Sequence, residues 1–166
     1  MSENDSIQYG GNRVKFDIYL QVIVPIIEEL KPLANTRSIS IHLINDTKES
    51  SLEGDKVSIE EIVRKLIENA IKFSSDRSIE ISLSKNFSGS LIFRIKDFGQ
   101  GLTQEFIEDM FLPFFNNNSS SNSNEKKLSD VKRCCNISNA LLVVETNKKS
   151  GFKFTVIFPD DSEKSV

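Results

Sequence analysis

Apolar residues recur every four positions at Ile18, Val22, Ile26 and Leu30, which predicts a helix with one buried face. Pro25 lies inside that pattern and removes a backbone donor, so it either kinks the helix or marks a late start. The period then changes to two. SISIHLI at residues 38–44 alternates as a strand, with Ile39, Ile41 and Leu43 on one face. Loop residues are expected from there to Asp55. Ser58 with Glu61 reads as a capping box that opens a second helix running to about Phe73. Its buried face would carry Ile59, Ile62, Val63, Leu66 and Ala70. SIEISLS at residues 78–84 and LIFRIKD at residues 91–97 alternate again, and the turn between them contains Gly89, so they predict a hairpin.

Thr103 can cap a short helix reaching Phe111. Residues 116–124 are only Asn and Ser, too polar to pack, and are expected to be loose. A helix over residues 128–137 is followed by two closing strands, 141–146 and 152–158, with a turn at 148–151. Helices mixed with tightly connected strands predict an α/β two-layer sandwich. A mixed, mostly antiparallel sheet would be covered on one face by about three helices. The 166 residues suit one domain, placed at 13–159 between a polar lead-in (1–12) and a tail (160–166).

Composition narrows the function. A net charge of −3 gives no basic field for nucleic acid or for an anionic membrane. No apolar stretch is long enough to span a bilayer, and no signal peptide is expected. The single histidine, His42, falls in a predicted strand and excludes a multi-histidine metal centre. Cys134 and Cys135 are adjacent, which disfavours a mutual disulfide and points to a reducing, cytoplasmic setting. On a helix they face different sides, so one is expected to be buried and the other to be a neutral neighbour.

Glu61, Lys65, Asn69 and Lys72 fall at helical spacing on one polar stripe opposite the buried face. Alone, the stripe reads as a solvated face with an i,i+4 pair between Glu61 and Lys65. The segment DFGQG at residues 97–101 gives it a second reading. Asp97 ends a strand, and an ionised carboxylate only accepts hydrogen bonds, which suits the exocyclic amine of adenine. Gly99 and Gly101 allow a sharp turn and a close approach. An Asn carbonyl is a hard oxygen donor suited to Mg²⁺, and a nearby Lys can neutralise phosphate.

The order of these motifs resembles the ATP-binding domain of histidine kinases, within the superfamily that includes gyrase and heat-shock chaperones. Gly54-Asp55 and then Asn69, Ala70, Lys72 and Phe73 match its helix motif, and DFGQGL at residues 97–102 matches its adenine turn. MFLPFF at residues 110–115 resembles its phenylalanine box, and KKSGFKFTVIFP at residues 148–159 resembles its closing strand. The resemblance implies the Bergerat-type ATP-binding fold, with ATP and Mg²⁺ as ligands. It places Asn69 on the metal, Lys72 on phosphate, Asp97 on adenine, and Phe73, Gly99, Gly101 and Leu102 around the nucleotide. Residues 116–127 would form the lid.

Two departures weaken the phosphate end. Lys65 stands where the family has its first motif asparagine or a basic glutamate; a protonated lysine neither ligates Mg²⁺ nor acts as a base. EKKL at residues 125–128 puts Glu125 and Lys127 where the second glycine box is expected. No catalytic residue is assigned, and residues 1–166 carry no phosphoacceptor histidine domain pattern, so the chain is expected to be either a fragment of a longer kinase or a stand-alone domain. Three functions stay open: phosphotransfer to a histidine on a partner domain or signalling protein of a two-component system, a nucleotide-regulated switch with weakened or lost transfer, and a pseudo-kinase interaction module that binds no nucleotide.

Overall fold

Strands that alternate strictly in sequence form the centre of the sheet in a computed structural model, which describes residues 13–110, 128–147 and 149–160, without the side chains of Met110 and Leu128. The lead-in, most of the phenylalanine-rich segment, the Asn/Ser run, Glu125, Lys127, Lys148 and residues 161–166 lie outside the described residues. The elements are β1 (Arg13–Asp17), a π-turn (Tyr19–Ile23), α1 (Val24–Thr36), β2 (Ser40–Asn45), β3 (Ser51–Asp55) and α2 (Lys56–Phe73). They continue with β4 (Ser78–Lys85), β5 (Leu91–Asp97), α3 (Gln104–Met110), α4 (Leu128–Ile137), β6 (Leu141–Asn147) and β7 (Gly151–Phe158).

The main sheet has the order β2-β4-β5-β7-β6, with β2 and β4 parallel and every other pair antiparallel. The register explains which face is buried. Leu83 lies opposite Phe93, Phe93 opposite Val156, and Val156 opposite Leu142, and residues directly opposite share a face. Ile79, Ile81, Ile95, Phe154 and Phe158 join this inner layer. The helices cover it, with α2 against β5 and flanked by α1 and α4. The outer layer is polar in its middle, where Glu80, Lys96, Lys153 and Glu145 face one another across four strands. Lys153 and Glu145 are 3.4 Å apart there.

Three local expectations are corrected. The first apolar period is not one uniform helix. It begins as a π-helical turn that runs straight into α1 at Val24, whose amide donates to the Tyr19 carbonyl, and Pro25 follows at the second position of α1, where the wider turn gives way to the α-helix. Residues 51–55 are not loop: β3 pairs antiparallel with β1 in a separate two-stranded sheet. The cap of α2 is Asp55, not Ser58 with Glu61. Asp55 Oδ1 accepts from the Ser58 amide at 3.5 Å, and its Oδ2 accepts from Ser58 Oγ at 3.1 Å.

Both cysteines of α4 are buried, which corrects the expectation of one. Burial is the main cause that pushes the Cys134 thiol up to about 11, with Glu61 adding to it, and burial pushes Cys135 up to about 12. Thiolates are therefore disfavoured in the fold. Stability is unaffected while both states hold neutral thiols. It falls as pH rises past the ordinary thiol value near 9.0 and continues falling towards these raised values. At neutral pH, Ellman's reagent should label neither cysteine until the domain unfolds, so labelling kinetics should follow unfolding in a urea series.

Candidate functional site

Asp97 belongs to the apolar row of β5. Leu91, Phe93, Ile95 and Asp97 alternate on the inner face, and Asp97 is 0% exposed. Burying a carboxylate costs free energy unless its oxygens are held. Here Oδ1 accepts from Ser74 Oγ at 2.5 Å and Oδ2 accepts from the Gly99 amide at 3.2 Å. The partners come from two elements: the residue just past α2 and the turn just past β5. The helix end is itself fixed from outside. Arg37, after α1, donates to the carbonyl oxygens of Ile71 (3.1 Å) and Lys72 (2.9 Å) in the last turn of α2. A cation there also suits the negative end of the helix dipole.

The turn after Asp97 is stapled at three further points. The Gln100 amide donates to Ser75 Oγ at 2.7 Å, Thr146 Oγ1 of β6 donates to the Leu102 carbonyl at 2.5 Å, and a methyl group added at Gly101 would meet the Asn147 carbonyl oxygen at 2.6 Å. A methyl group at Gly99 would collide with Ser75 Oγ. Neither glycine has a left-handed backbone. They are glycines because the turn lies against Ser75 and β6, not because the chain needs an unusual conformation there. The positive φ instead belongs to Gly151, at +86°, which packs directly on Asp97.

The stripe on α2 is not the solvated face that its polarity predicts. Lys65 and Asn69 are buried, while Glu61 and Lys72 are half-buried. Lys65 pairs with Glu68 at 3.3 Å rather than with Glu61. Asn69 Nδ2 donates to the Lys65 carbonyl at 2.7 Å, which leaves its Oδ1 as the oxygen it can offer a ligand. Lys72 Nζ lies 5.6 Å from the centre of the Phe73 ring. Phe73 meets Phe106 of α3 edge-on at 5.3 Å, so it ties α3 to the end of α2. Asn69 precedes Ser74 by five residues, roughly 7 Å along the helix axis. The amide, the lysines and the buried carboxylate are thus carried by one helix and the turn docked on its end.

Sequence reasoning missed Ser74, Ser75, Arg37, Thr146 and Gly151 as parts of this arrangement. Ser74-Ser75 directly follows the matched helix motif, and that adjacency was the available signal. A cleft of about 440 Å³ lined by Ile107, Lys132, Cys135, Asn136 and Leu142 lies between α3, α4 and β6. It includes none of Asn69, Lys72, Asp97, Gly99 or Gly101, so chemistry rather than volume defines the candidate site.

The donor set does not suit Mg²⁺. Among the described residues no group of three or more His, Cys, Asp or Glu could hold a metal. Asn69 supplies one neutral oxygen, Lys65 sits one helical turn away, and the nearby carboxylate of Glu68 is engaged by that lysine. Water and phosphate oxygens can fill most of a magnesium ion's octahedron, so what disfavours the ion here is the neighbouring ammonium and the lack of a free carboxylate rather than the number of protein oxygens.

Comparison with known proteins gives the family and the fold. The model of the histidine kinase-, DNA gyrase B-, and HSP90-like ATPase family matches residues 54–162. The chain belongs to that family, and its sheet and helices are arranged as in histidine kinase catalytic domains. It is 29% identical over 144 residues to the heme sensor protein HssS of Staphylococcus saprophyticus, a match covering 86% of this chain and 31% of that protein. It is 28% identical over 163 residues to the sensor protein KdpD of Clostridium acetobutylicum, covering 89% of this chain and 17% of that protein. The chain thus spans a third or less of these relatives.

The catalytic domain of histidine kinase ThkA superposes with a TM-score of 0.76 at 16% identity, covering 90% of this chain and 96% of that one. Full-length ShkA, solved in complex with AMPPNP, gives a TM-score of 0.76 at 19% identity, covering 92% and 32%. Among the described residues no helix is long and apolar enough to cross a membrane.

Proposed function

We propose that this chain is the nucleotide-binding domain of a two-component signalling protein, taking ATP or ADP with adenine at Asp97 and the phosphates towards Asn69 and Lys72. The observation that carries this reading is the Asp97 carboxylate. It is fully buried in an otherwise apolar row, with both oxygens held by donors from the residue just past α2 and from its own turn. A fold would spare itself that cost with an apolar residue, and a buried, oriented carboxylate is suited to recognising a donor on a ligand. Membership of the ATPase family, and a fold neighbour solved with AMPPNP, point the same way.

Phosphotransfer is weakened or lost in this reading. Lys65 is a buried, paired lysine where a base or a metal ligand would be needed, and Glu125 and Lys127 replace glycines expected to approach phosphate. Gly99, Gly101 and Leu102 shape the adenine side through the stapled turn, and Phe73 supports it by packing on Phe106. A helical domain carrying a phosphoacceptor histidine is the expected partner, in the cytoplasm. The second reading, an interaction module without nucleotide, is favoured by the Lys65–Glu68 pair, which occupies the polar face of α2 with protein contacts.

Calorimetric titration with ADP separates the two. Saturable heat of one site per chain supports the nucleotide reading, and no heat at protein concentrations on the order of 100 μM, enough to see weak sites, supports the module. With labelled ATP and a histidine-bearing helical partner, transfer should be at or near background. Robust labelling would show that catalysis is intact.

A further inference from the structure

We infer that nucleotide binding by this domain is independent of divalent metal, because Lys65 supplies from within α2 the positive charge that Mg²⁺ would otherwise bring to the phosphates. The inference rests on the nucleotide-binding reading above. Three observations carry it.

First, Lys65, Asn69 and Lys72 stand at i, i+4 and i+7 of α2, which places them on one face of the helix. Second, the Lys65 side chain is only 10% exposed, so its ammonium is held in the interior rather than waving in solvent. A buried ammonium interacts with a neighbouring anion far more strongly than an exposed one. Glu68 takes up one interaction at 3.3 Å, and an ammonium has three donors, so the pair leaves Lys65 able to contact a phosphate oxygen as well. Glu68 holds the lysine in place before a ligand arrives.

Third, the protein offers a metal a single neutral oxygen and no uncommitted carboxylate beside it, so a fixed lysine charge rather than an anionic ligand faces the phosphates. Asn69 commits its Nδ2 to the Lys65 carbonyl at 2.7 Å and can present only Oδ1, and Glu68 is engaged by Lys65. A dication placed between Asn69 and the phosphates would sit beside a fixed positive charge. The same phosphates can be met directly by the Lys65 and Lys72 ammoniums. Two monocations on the helix thus replace one dication in solution.

The test is calorimetric titration of the wild-type chain with ADP in excess Mg²⁺ and, separately, in EDTA. The two affinities should agree within about threefold, less than 1 kcal/mol. Lys65→Asn should bind about tenfold more weakly in EDTA, the loss of one charge-assisted contact, and should recover affinity when Mg²⁺ is added. Lys65→Met, with unfolding followed by circular dichroism, should also lose affinity in EDTA while remaining folded. Wild-type affinity that falls more than threefold in EDTA overturns the inference and leaves the nucleotide reading standing. Absence of ADP binding in both buffers overturns both. The wild-type comparison needs no variant, so it decides the matter even if Lys65 substitutions fail to fold.

Discussion

Asp97→Asn should lower the affinity for ADP by about ten- to a hundredfold, the range set by hydrogen bonds to charged groups at about 1.5–3 kcal/mol each. The substitution is nearly isosteric, so the argument is about donors and acceptors. An ionised carboxylate offers about four lone-pair positions. Two are occupied, by Ser74 Oγ at 2.5 Å and by the Gly99 amide at 3.2 Å, and the others, closed to solvent in this structure, are the ones a ligand amine would take. An asparagine has one oxygen. The Gly99 amide cannot accept a hydrogen bond, so the new NH₂ group must turn towards Ser74, whose hydroxyl can rotate to accept. The ligand amine then meets an amide donor where it needs an acceptor. Titration of the variant with ADP checks this, with circular dichroism to confirm the fold. Unchanged affinity would place the adenine contact away from Asp97.

Much of this arrangement was legible because the main sheet is built from strictly alternating strands. Residues 78–84 and 91–97 announced β4 and β5, and α4 has the predicted bounds of 128–137. The residues of β3, SLEGD, were not legible. They hold two acidic residues and a glycine, poor strand formers, and become a strand because β1 offers them a partner. A pattern read locally cannot see that pairing. The helix cap failed for a related reason. Ser58 lies three residues past Asp55, and either could have capped a helix; the β3 pairing ends at Asp55 and thereby sets where α2 begins.

The polar stripe is the more instructive failure. Residue type said that Lys65 and Asn69 should be wet, yet both are buried. Lys65 meets the cost of burial by pairing with Glu68, and Asn69 by donating to the carbonyl one turn back. These are satisfactions inside one helix, available from the sequence spacing in hindsight but indistinguishable from ordinary surface pairs. The motif DFGQG was visible, whereas the reason for its glycines was not. They make room for Ser75 and for β6, whose contacted residues lie 24 and 45–46 positions away in sequence. Adenine recognition was read from Asp97 alone, while its orientation depends on Ser74, whose own position depends on Arg37 holding the end of α2.

Gly151→Ala should be the most damaging single methyl group in the described part of the domain, lowering stability by more than about 3 kcal/mol and the melting temperature by about 6–12 °C. Two costs add. The backbone at Gly151 has φ +86°, a region that costs an L-residue roughly 1–2 kcal/mol. The new Cβ would also collide with the carbonyl oxygen of Asp97 and approach its Oδ2 at 3.2 Å. A clash with backbone has no rotamer to relieve it, so either the β6–β7 turn or the end of β5 must shift. Gly89→Ala separates the two costs. Its φ is +88°, but its Cβ meets only the side chain of Asp160, which can swing away, so the loss should stay near the conformational cost of about 1–2 kcal/mol. Thermal melts of the two variants check the difference. Because the collision at Gly151 falls on Asp97 itself, whatever Gly151→Ala protein still folds should also bind ADP more weakly than Gly89→Ala. Equal melting temperatures and equal affinities for the two variants would mean that the closing strand does not hold Asp97 in place.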